Sequence, residues 1–324
     1  MTHAIRFHKT GGPEVLVWEE VNVGKPGPGE AKIRHTAVGL NFVDIYNRSG
    51  LYPGQLPSGL GGEAAGVVLE VGSGVTDLKA GDRVAYGAAP IGAYAEERLI
   101  PADRLLKLPD GIDDKTAAAM MLKGLTVQYL IRQTYRVKSG DTILLHAAAG
   151  GVGQILSQWA KHLGATVIGT VGNDEKAAIA KAHGCAHTIV YSREDFVKRV
   201  EEITGGKKVP VVYDSVGKDT FLKSLDCLAP LGFAVLFGQS SGTVEPLNLG
   251  LLAQKGSLFV TRPTLNTYAA KSENLRAMAK ELFEVVVSGA VKINVNQTYP
   301  LKDAAKAHAD LAARKTTGST VLLV

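Results

Sequence analysis

The sequence predicts an α/β protein in which a doubly wound parallel sheet is joined to a second, β-rich domain. Between residues 126 and 260, apolar segments of strand length alternate with helical segments, a pattern typical of a parallel sheet. From residue 1 to about 125, short apolar stretches are separated by glycine and proline, which favours a compact β barrel or sandwich. The apolar segment 320–324 has no evident partner strand in its own part of the chain, so we expect it to return to the N-terminal domain. The predicted domains are therefore 1–125 with 261–324, and 126–260 between them.

The elements of the β-rich domain are predicted from short apolar stretches that end at glycine or proline. The predicted strands are 4–7, 15–20, 31–38, 64–71 and 94–100, and the last segment 320–324. A helix is predicted at 113–121, where three alanines follow Lys115 and Thr116. Two more helices are predicted in the tail, at 272–288 and 303–314.

The inserted domain opens with the stretch around which the chain is organised, residues 141–169. An apolar strand at 142–146 is followed by a turn of small residues, 147–153, and by a helix that ends at Gly164. A second strand follows at 166–169, which completes a βαβ unit. A pyrophosphate has to approach the backbone N–H groups and the positive end of such a helix closely, which small residues permit.

The small-residue turn predicts a nucleotide-binding site. Aligned with G-x-G-x-x-G, it has alanine at the first position, Ala148, and glycine at Gly150 and Gly153. We expect Gly150, Gly151 and Val152 to contact the cofactor; the alternative is an ordinary glycine-rich connection. The rest of the domain continues the alternation, with predicted helices at 174–183, 193–204 and 219–228 and predicted strands at 188–191, 209–214, 233–237 and 257–260.

The end of the second strand indicates which cofactor is bound. A strand that selects NAD usually ends with an acid for the ribose 2′-OH, but here no carboxylate occurs before Asp174, which is expected to cap the next helix. Asn173, Lys176 and Tyr191 are predicted around a 2′-phosphate, because a lysine and a phenol suit a dianion. The cofactor is therefore predicted to be NADPH, and Lys176 as a solvated helix lysine is the alternative.

Further cofactor contacts are expected where the later strands end, because doubly wound sheets bind ligands at the carboxyl ends of their strands. Ser215 and Val216 follow the fourth strand and are expected to line the adenosine side. The residues after the next strand are expected to face the ribose and the nicotinamide; they are Phe237, Gly238, Gln239 and Ser240.

Composition excludes several classes of protein. Hydrophobic residues make up 45% and charged residues 21%, as in an ordinary globular protein, and we expect no membrane span and a cytoplasmic location. The two cysteines, Cys185 and Cys227, are too few for a disulfide framework or a zinc cluster and are expected to be buried thiols. The net charge of +5 is diffuse, without an arginine-rich arm, so no nucleic-acid partner is expected.

Four motifs carry a resemblance to a known family: 39–44 (GLNFVD), 62–66 (GEAAG), 81–84 (GDRV) and the turn 147–153. Over its whole length the chain resembles the zinc-independent medium-chain dehydrogenase/reductases, specifically quinone oxidoreductases of the zeta-crystallin type. The resemblance implies a Rossmann domain inserted into a GroES-like catalytic domain that is built from both chain ends. It also implies a homodimer or homotetramer.

The resemblance also implies where the site lies. The family pattern places the nicotinamide between the domains, near Asn41, Phe42, Tyr46 and Thr126, and brings Arg314 to the adenosine pocket. No metal is expected, because zinc-dependent relatives have a cysteine where this chain resembles them at Asn41 and a histidine at Gly62, and glycine offers no side-chain donor.

Tyr46 and Tyr52 are the candidate acceptor residues, together with Asn41. A phenol hydroxyl can hydrogen-bond a developing quinol oxygen while its ring packs on the acceptor, although both tyrosines could instead only pack the loop.

Three functions stay open at this point. The first is an NADPH-dependent quinone reductase. The second is a reductase of activated carbon–carbon double bonds in enones or alkenals. That reaction needs a placed general acid, and no histidine or carboxylic acid with a raised pKa is evident in the stretches assigned to the site. The third is a non-enzymatic NADPH-binding structural or RNA-binding protein, which lacks support from clusters of stacking aromatic residues.

Overall fold

The computed structural model describes residues 1–88 and 90–324. In chain order, the strands of this part are β1 (Thr2–Phe7), β2 (Val17–Val21), β3 (Glu30–Leu40), β4 (Ser58–Gly59), β5 (Ala64–Val71), β6 (Arg83–Tyr86), β7 (Glu97–Pro101), β8 (Leu106–Lys107), β9 (Thr142–Leu145), β10 (Thr166–Val171), β11 (His187–Val190), β12 (Val209–Asp214), β13 (Leu228–Leu236), β14 (Phe259–Thr261), β15 (Val295–Pro300) and β16 (Ser319–Leu323). The α-helices are α1 (Phe42–Ser49), α2 (Asp114–Tyr129), α3 (Gly151–His162), α4 (Asp174–Ala182), α5 (Phe196–Thr204), α6 (Phe221–Ser224), α7 (Gly250–Gln254), α8 (Leu265–Tyr268), α9 (Ser272–Val287) and α10 (Ala304–Ala312).

The chain divides into two compact units. The first unit contains Met1–Leu125, Tyr268–Val287 and Ile293–Val324, and the second contains Thr126–Thr267 and Ser288–Lys292. The second unit thus extends a few residues beyond the boundary expected at residue 260. The assignment of separate functions to the two domains stays a prediction.

The second unit is built on a parallel sheet of six strands in the order β11-β10-β9-β12-β13-β14. The predicted doubly wound parallel sheet is confirmed. Its apolar strands are buried because helices cover such a sheet on both faces, and Leu144, Ile168 and Val212 are each fully buried. The strand order reverses between β9 and β12, and the carboxyl ends of these two strands therefore flank the crevice in which such sheets bind ligands.

The first unit is organised by the long strand β3, which pairs with β5, β7 and β16, all antiparallel. It belongs to a seven-stranded sheet with the order β15-β16-β3-β5-β6-β8, to which β7 adds, and a three-stranded sheet β2-β1-β4 accompanies it. The core of this unit includes Ile33, Val38, Ile100 and Leu322, all buried. The expected return of the last strand to the N-terminal sheet is confirmed, because Leu322 lies opposite Val38.

Some predicted elements differ from the structure. The expectation that the last strand has no partner in its own segment is wrong, because β15 pairs with β16 in parallel. The segment 42–49, where no helix was predicted, forms α1, which ends at Gly50 with a left-handed φ of 82°. Helix α2 is longer than predicted and continues into a π-helical turn, Leu130–Thr134. Cys185 and Cys227 are buried free thiols, as expected. Within the part of the chain described, no helix is long and apolar enough to span a bilayer.

Candidate functional site

The glycine-rich turn connects β9 to α3 in the second unit. Ala147 adopts a left-handed φ of 55°, and the Ala148 N–H donates to the Thr170 carbonyl at 3.1 Å, which ties the turn to β10. A Cβ on Gly153 would lie 2.5 Å from the Ala147 carbonyl oxygen, so only glycine fits there. The third glycine of the motif is therefore required by the packing of α3 against the turn.

Gly150 differs from Gly153, because the fold itself does not require glycine at this position. It caps α3 with φ −78° and ψ 173°, a conformation that any residue adopts, and the nearest atom to a Cβ built on it is the Ala147 carbonyl oxygen at 3.3 Å. The surrounding atoms would thus tolerate a small side chain here. Glycine instead leaves an open space at the start of the helix, which we call the cradle. The first turn of α3 carries no acidic residue, and its N–H groups and dipole favour an anion. A pyrophosphate fits these residues.

The end of β10 and the start of α4 bring three predicted residues into one region of the second unit. Asn173 caps α4, because its Oδ1 accepts from the Lys176 N–H at 2.9 Å. The expectation that Asp174 caps this helix is wrong. Asp174 is the first helical residue, and it accepts two hydrogen bonds from Arg193 that lower the pKa of its carboxyl.

Tyr191 follows β11 directly and crosses the end of β10. Its N–H donates to the Val171 carbonyl at 3.1 Å, and a Cβ on Gly172 would lie 3.2 Å from its hydroxyl. Its side chain is exposed. The fourth residue expected near the adenosine, Arg314, belongs to the first unit, where it is exposed and has a left-handed φ of 58°. Their role in phosphate binding stays a prediction.

The loops after β12 and β13 are bonded to each other. The Ser240 N–H donates to the Ser215 carbonyl at 3.1 Å, and a Cβ on Gly238 would lie 3.0 Å from the Ser215 Cα. The Ser241 N–H donates to the Val216 carbonyl at 2.9 Å. The structure therefore brings together the predicted residues of the two loops, Ser215 and Val216 with Phe237, Gly238, Gln239 and Ser240.

Asp214 fixes the first of these loops, a role that the sequence analysis missed. It is buried at the end of β12, and its Oδ1 accepts from the N–H groups of Val216 and Gly217 at 2.7 and 3.0 Å. Its Oδ2 accepts from the Thr220 hydroxyl at 2.7 Å. Buried His146, at the end of β9, bonds Ser224 at 2.9 Å through Nε2, and burial lowers its pKa. The bonds of Asp214 are local, so an aspartate at the end of a strand could have signalled them, whereas the bond from His146 to Ser224 spans 78 residues and no local pattern reveals it.

In the first unit, α1 gathers the predicted acceptor residues. The ring centroids of Phe42 and Tyr46 are 5.5 Å apart, and those of Tyr46 and Tyr52 are 5.2 Å apart, both edge to face. The Tyr52 N–H donates to the Tyr46 carbonyl at 3.1 Å. Asn41 precedes the helix directly, so these four residues lie together; Thr126, expected near them, belongs to the second unit.

Asn41 is held by two carboxylates. Its side-chain Nδ2 donates to Glu63 Oε2 at 2.6 Å, and its backbone N–H donates to Asp44 Oδ2 at 2.9 Å. Glu63 is fully buried and also accepts from the Leu122 N–H at 2.8 Å and from Lys123 Nζ at 3.2 Å. Glu63 belongs to the motif 62–66, but neither it nor Lys123 has a role predicted from the sequence.

Asp44 lies at the end of a directed chain of hydrogen bonds. Arg48 can only donate, so His308 accepts at Nδ1 (3.2 Å), donates from Nε2 to the Tyr94 hydroxyl (3.0 Å), and Tyr94 donates to Asp44 Oδ2 (3.0 Å). Burial raises the pKa of Asp44 to about 7 and lowers that of His308 to about 3. Asp44 Oδ1 is buried without a partner among the described residues. The expectation that this stretch holds no carboxylic acid with a raised pKa is therefore wrong.

The positions considered for zinc have few donors. Asn41 is committed to Glu63 and Asp44, and Gly62 contributes no side chain. Across residues 1–88 and 90–324, no group of three or more histidines, cysteines and carboxylates is arranged to hold a metal ion.

Known proteins with this architecture match the whole chain. The profile of the family "Alcohol dehydrogenase GroES-like domain" matches residues 27–110, and that of "Zinc-binding dehydrogenase" matches residues 151–289. The chain is 58% identical to a quinone oxidoreductase of Pseudomonas aeruginosa, with 100% of both chains covered. It is 51% identical to a 2-haloacrylate reductase of a Burkholderia species, over 100% of this chain and 99% of that one.

A solved structure agrees with these matches. The Escherichia coli quinone oxidoreductase, crystallised in complex with NADPH, superposes with a TM-score of 0.98 at 53% identity, and 100% of each chain is covered. The expected GroES-like and Rossmann domains are confirmed. Because these matches extend over the full length of the chain, the chain belongs to the quinone oxidoreductases of the medium-chain dehydrogenase/reductase superfamily.

Proposed function

We propose that the protein is an NADPH-dependent quinone reductase, which reduces small quinones without a metal. The observation that carries the proposal is the 58% identity to a quinone oxidoreductase over the entire chain. The cradle at Gly150 supports it, because it leaves room for a pyrophosphate at the start of α3. NADPH, when bound, supplies a hydride, and the residues of the chain bind, orient and shield the reactants.

The second unit would bind the cofactor. Gly150, Gly151 and Val152 provide the turn and the first N–H groups of α3 for the pyrophosphate. The 2′-phosphate would meet Asn173, Lys176 and Tyr191. Asn173 and Lys176 begin α4 directly after β10, and the Tyr191 hydroxyl lies beside Gly172. The remaining cofactor contacts proposed are Thr126, Ser215, Val216, Phe237, Gly238, Gln239, Ser240 and Arg314.

The first unit would bind the acceptor. Tyr46 and Tyr52 offer edge-to-face rings and hydroxyl groups to a flat molecule with two oxygens, while Phe42 and Asn41 adjoin them. A quinol oxygen is stable as the anion for long enough to take a proton from solvent, so the acceptor site needs no obligatory general acid.

A second candidate function is the reduction of activated carbon–carbon double bonds. It is favoured by the likeness to a 2-haloacrylate reductase and by Asp44, a buried carboxyl whose pKa is raised to about 7 two residues before Tyr46. Such a substrate requires a proton at carbon after hydride arrives.

The specificity constants for 1,4-benzoquinone and for an alkenal, measured at fixed NADPH, test the two functions. We expect the quinone to be the better substrate. The Tyr46→Phe variant loses one hydrogen bond and should slow quinone turnover by up to roughly tenfold. Tyr299→Phe, which loses a partly buried hydroxyl bonded to Asp310 in the same unit, serves as the control and should change turnover less than about twofold. If the alkenal is preferred and Tyr46→Phe abolishes its reduction, the second function replaces the first.

We also propose an assembly, the absence of a required metal and a cellular location. A homodimer or homotetramer is supported by β14, an edge strand whose Phe259 and Val260 are exposed.

Zinc independence is supported by Gly62, which has no side-chain donor, and by the hydrogen bond of the Asn41 amide to Glu63. Activity should therefore survive exhaustive chelation. A cytoplasmic location is supported by the two free thiols, which suit a reducing compartment.

A further inference from the structure

A buried ion pair lies directly beneath the start of α1. Glu63 is 0% exposed and Lys123 is 6% exposed, with 3.2 Å between Oε2 and Nζ. Removing two charges from water costs free energy that their attraction seldom exceeds, so a buried pair is weak evidence for a stabilising role. Because the pair lies next to the start of α1, we consider instead that it holds the neighbouring residues in position.

The backbone is shaped to accept this pair. A Cβ on Gly39 would overlap Glu63 Oε2 and the Ala118 carbonyl oxygen, so β3 needs glycine where the carboxylate packs. Lys123 also donates to the Leu40 carbonyl at 3.3 Å, and Leu40 is the residue before Asn41. Through these hydrogen bonds the pair connects the end of β3 to α2.

The ion pair can influence the acceptor site through its contact with Asn41. The 2.6 Å bond from Asn41 Nδ2 to Glu63 Oε2 is charge-assisted and fixes the orientation of the amide. Asn41 caps α1, and Phe42 and Tyr46 lie on the first two turns of that helix. A shift of Asn41 would move both rings.

We infer that Glu63 and Lys123 are positioning residues of the acceptor site, which hold the Asn41 amide and through it the first turns of α1 that carry Phe42 and Tyr46. The inference rests on the proposed function. Neither residue is assigned contact with substrate or cofactor, so they act on the reaction only through Asn41.

An exchange of donor and acceptor tests the inference. Asn41→Asp places a carboxylate against Glu63, and Glu63→Gln leaves Lys123 without its charged partner. Each single variant should lower kcat for benzoquinone by about tenfold, the effect of one charge-assisted hydrogen bond. The double variant Asn41→Asp/Glu63→Gln keeps the net charge and restores the bond with its direction reversed. It should therefore turn over at least about threefold faster than either single variant, because the two changes are coupled through this bond.

Three further measurements separate positioning from stability. The thermal midpoint and the NADPH dissociation constant are measured for every variant, and deuterated NADPH gives the isotope effect on kcat. We expect the isotope effect to rise in the single variants and to fall again in the double variant. The NADPH affinity of Glu63→Gln should change less than about twofold, because Glu63 is assigned no contact with the cofactor. Glu97→Gln, which breaks a half-exposed ion pair with Lys32 in the same sheet, is the control and should leave kcat unchanged.

Folded single variants with wild-type kcat, or a folded double variant as slow as the singles, would overturn the inference. If the single variants do not fold, the double variant provides the test. A double variant that folds and reduces benzoquinone supports the inference, because only the restored bond distinguishes it from the single variants. A double variant that also fails to fold, or folds without activity, rejects the inference. A wild-type protein that binds NADPH but reduces neither quinone nor alkenal refutes the proposed function instead, and the inference falls with it.

Discussion

Individual residues around α1 show how much of a site depends on contacts that the sequence does not reveal. Tyr46 and Tyr52 were predicted because a phenol suits a quinone, and the structure places their rings 5.2 Å apart. Asp44 belongs to the motif 39–44, and the sequence predicts no separate role for it. In the structure it is buried at the end of the hydrogen-bond chain that begins at Arg48. Its surroundings come from Tyr94 and His308, which are distant in sequence, and no local pattern could have identified them.

Asp44 should make stability depend on pH. Burial raises its folded pKa to about 7 from 3.8, so between these values the folded protein holds a proton that the unfolded chain has released. The contribution of the Asp44 carboxyl to the free energy of unfolding is therefore fully present below about pH 4 and is lost as the pH rises through 7. Between about pH 4 and about pH 8, the unfolding free energy of Asp44→Asn relative to wild type should increase by at least about 1.4 kcal/mol, the value of one pKa unit.

Urea unfolding followed by circular dichroism across this range measures the effect. Asp110→Asn, at an exposed aspartate, controls for the removal of one negative charge. Parallel pH curves for Asp44→Asn and the wild type would show that Asp44 is ionised throughout.

Lys176 should distinguish NADPH from NADH. Its backbone N–H donates to the Asn173 cap, and it belongs to the first turn of α4, which begins shortly after β10 ends. Lys176→Ala should raise KM for NADPH by roughly tenfold or more, since hydrogen bonds to charged groups are worth about 1.5–3 kcal/mol, and should leave KM for NADH nearly unchanged. Lys181→Ala, in the last turn of the same helix, is the matched control. Equal effects on the two cofactors would remove Lys176 from the phosphate site.

Whole elements were predicted best where local pattern and buried packing agree. The β9–turn–α3 unit was predicted closely because its strand is apolar, its turn is small and its helix has one apolar face. Helix α1 was missed because it spans only eight residues, although the N-cap at Asn41 and Gly50 at the end are the usual signals. Strand β15 was missed because its residues alternate between half-buried and exposed positions and few of them are apolar.

Two glycines of the same turn should respond differently to alanine. Gly150→Ala adds a methyl group 3.3 Å from the Ala147 carbonyl in an ordinary conformation, so unfolding free energy should change by less than about 1 kcal/mol. KM for NADPH should nevertheless rise about tenfold or more, because the methyl group fills the cradle. Gly153→Ala should instead destabilise the fold by more than about 2 kcal/mol, since its Cβ would lie 2.5 Å from the same oxygen.

Thermal unfolding and steady-state kinetics on each variant separate the two effects. Gly111→Ala, whose Cβ would make an ordinary 3.6 Å contact with Val287, serves as the control. Unchanged NADPH kinetics in Gly150→Ala would mean that the cradle does not hold the pyrophosphate.

At the scale of the molecule, the sequence predicted a chain that returns to its first domain after completing a second one. That prediction depended on the apolar last segment, and β16 does lie beside β3, with Thr320 opposite Leu40 and Leu323 opposite Ala37. Its pairing with β3 in particular could not be predicted, because nearly the whole chain separates the two strands and only three-dimensional packing selects the partner.

This late pairing has a consequence for biosynthesis. The end of β3 that leads into Asn41 lacks its β16 partner until the ribosome has made the entire second unit. At about 5–20 residues per second, the delay is roughly 15 to 60 seconds, while the second unit can already fold on the emerging chain. In stalled nascent chains that end near residue 300, we expect the second unit to resist a protease and the first to be cut. A nascent chain is therefore expected to carry a folded second unit well before β3 gains its last partner strand.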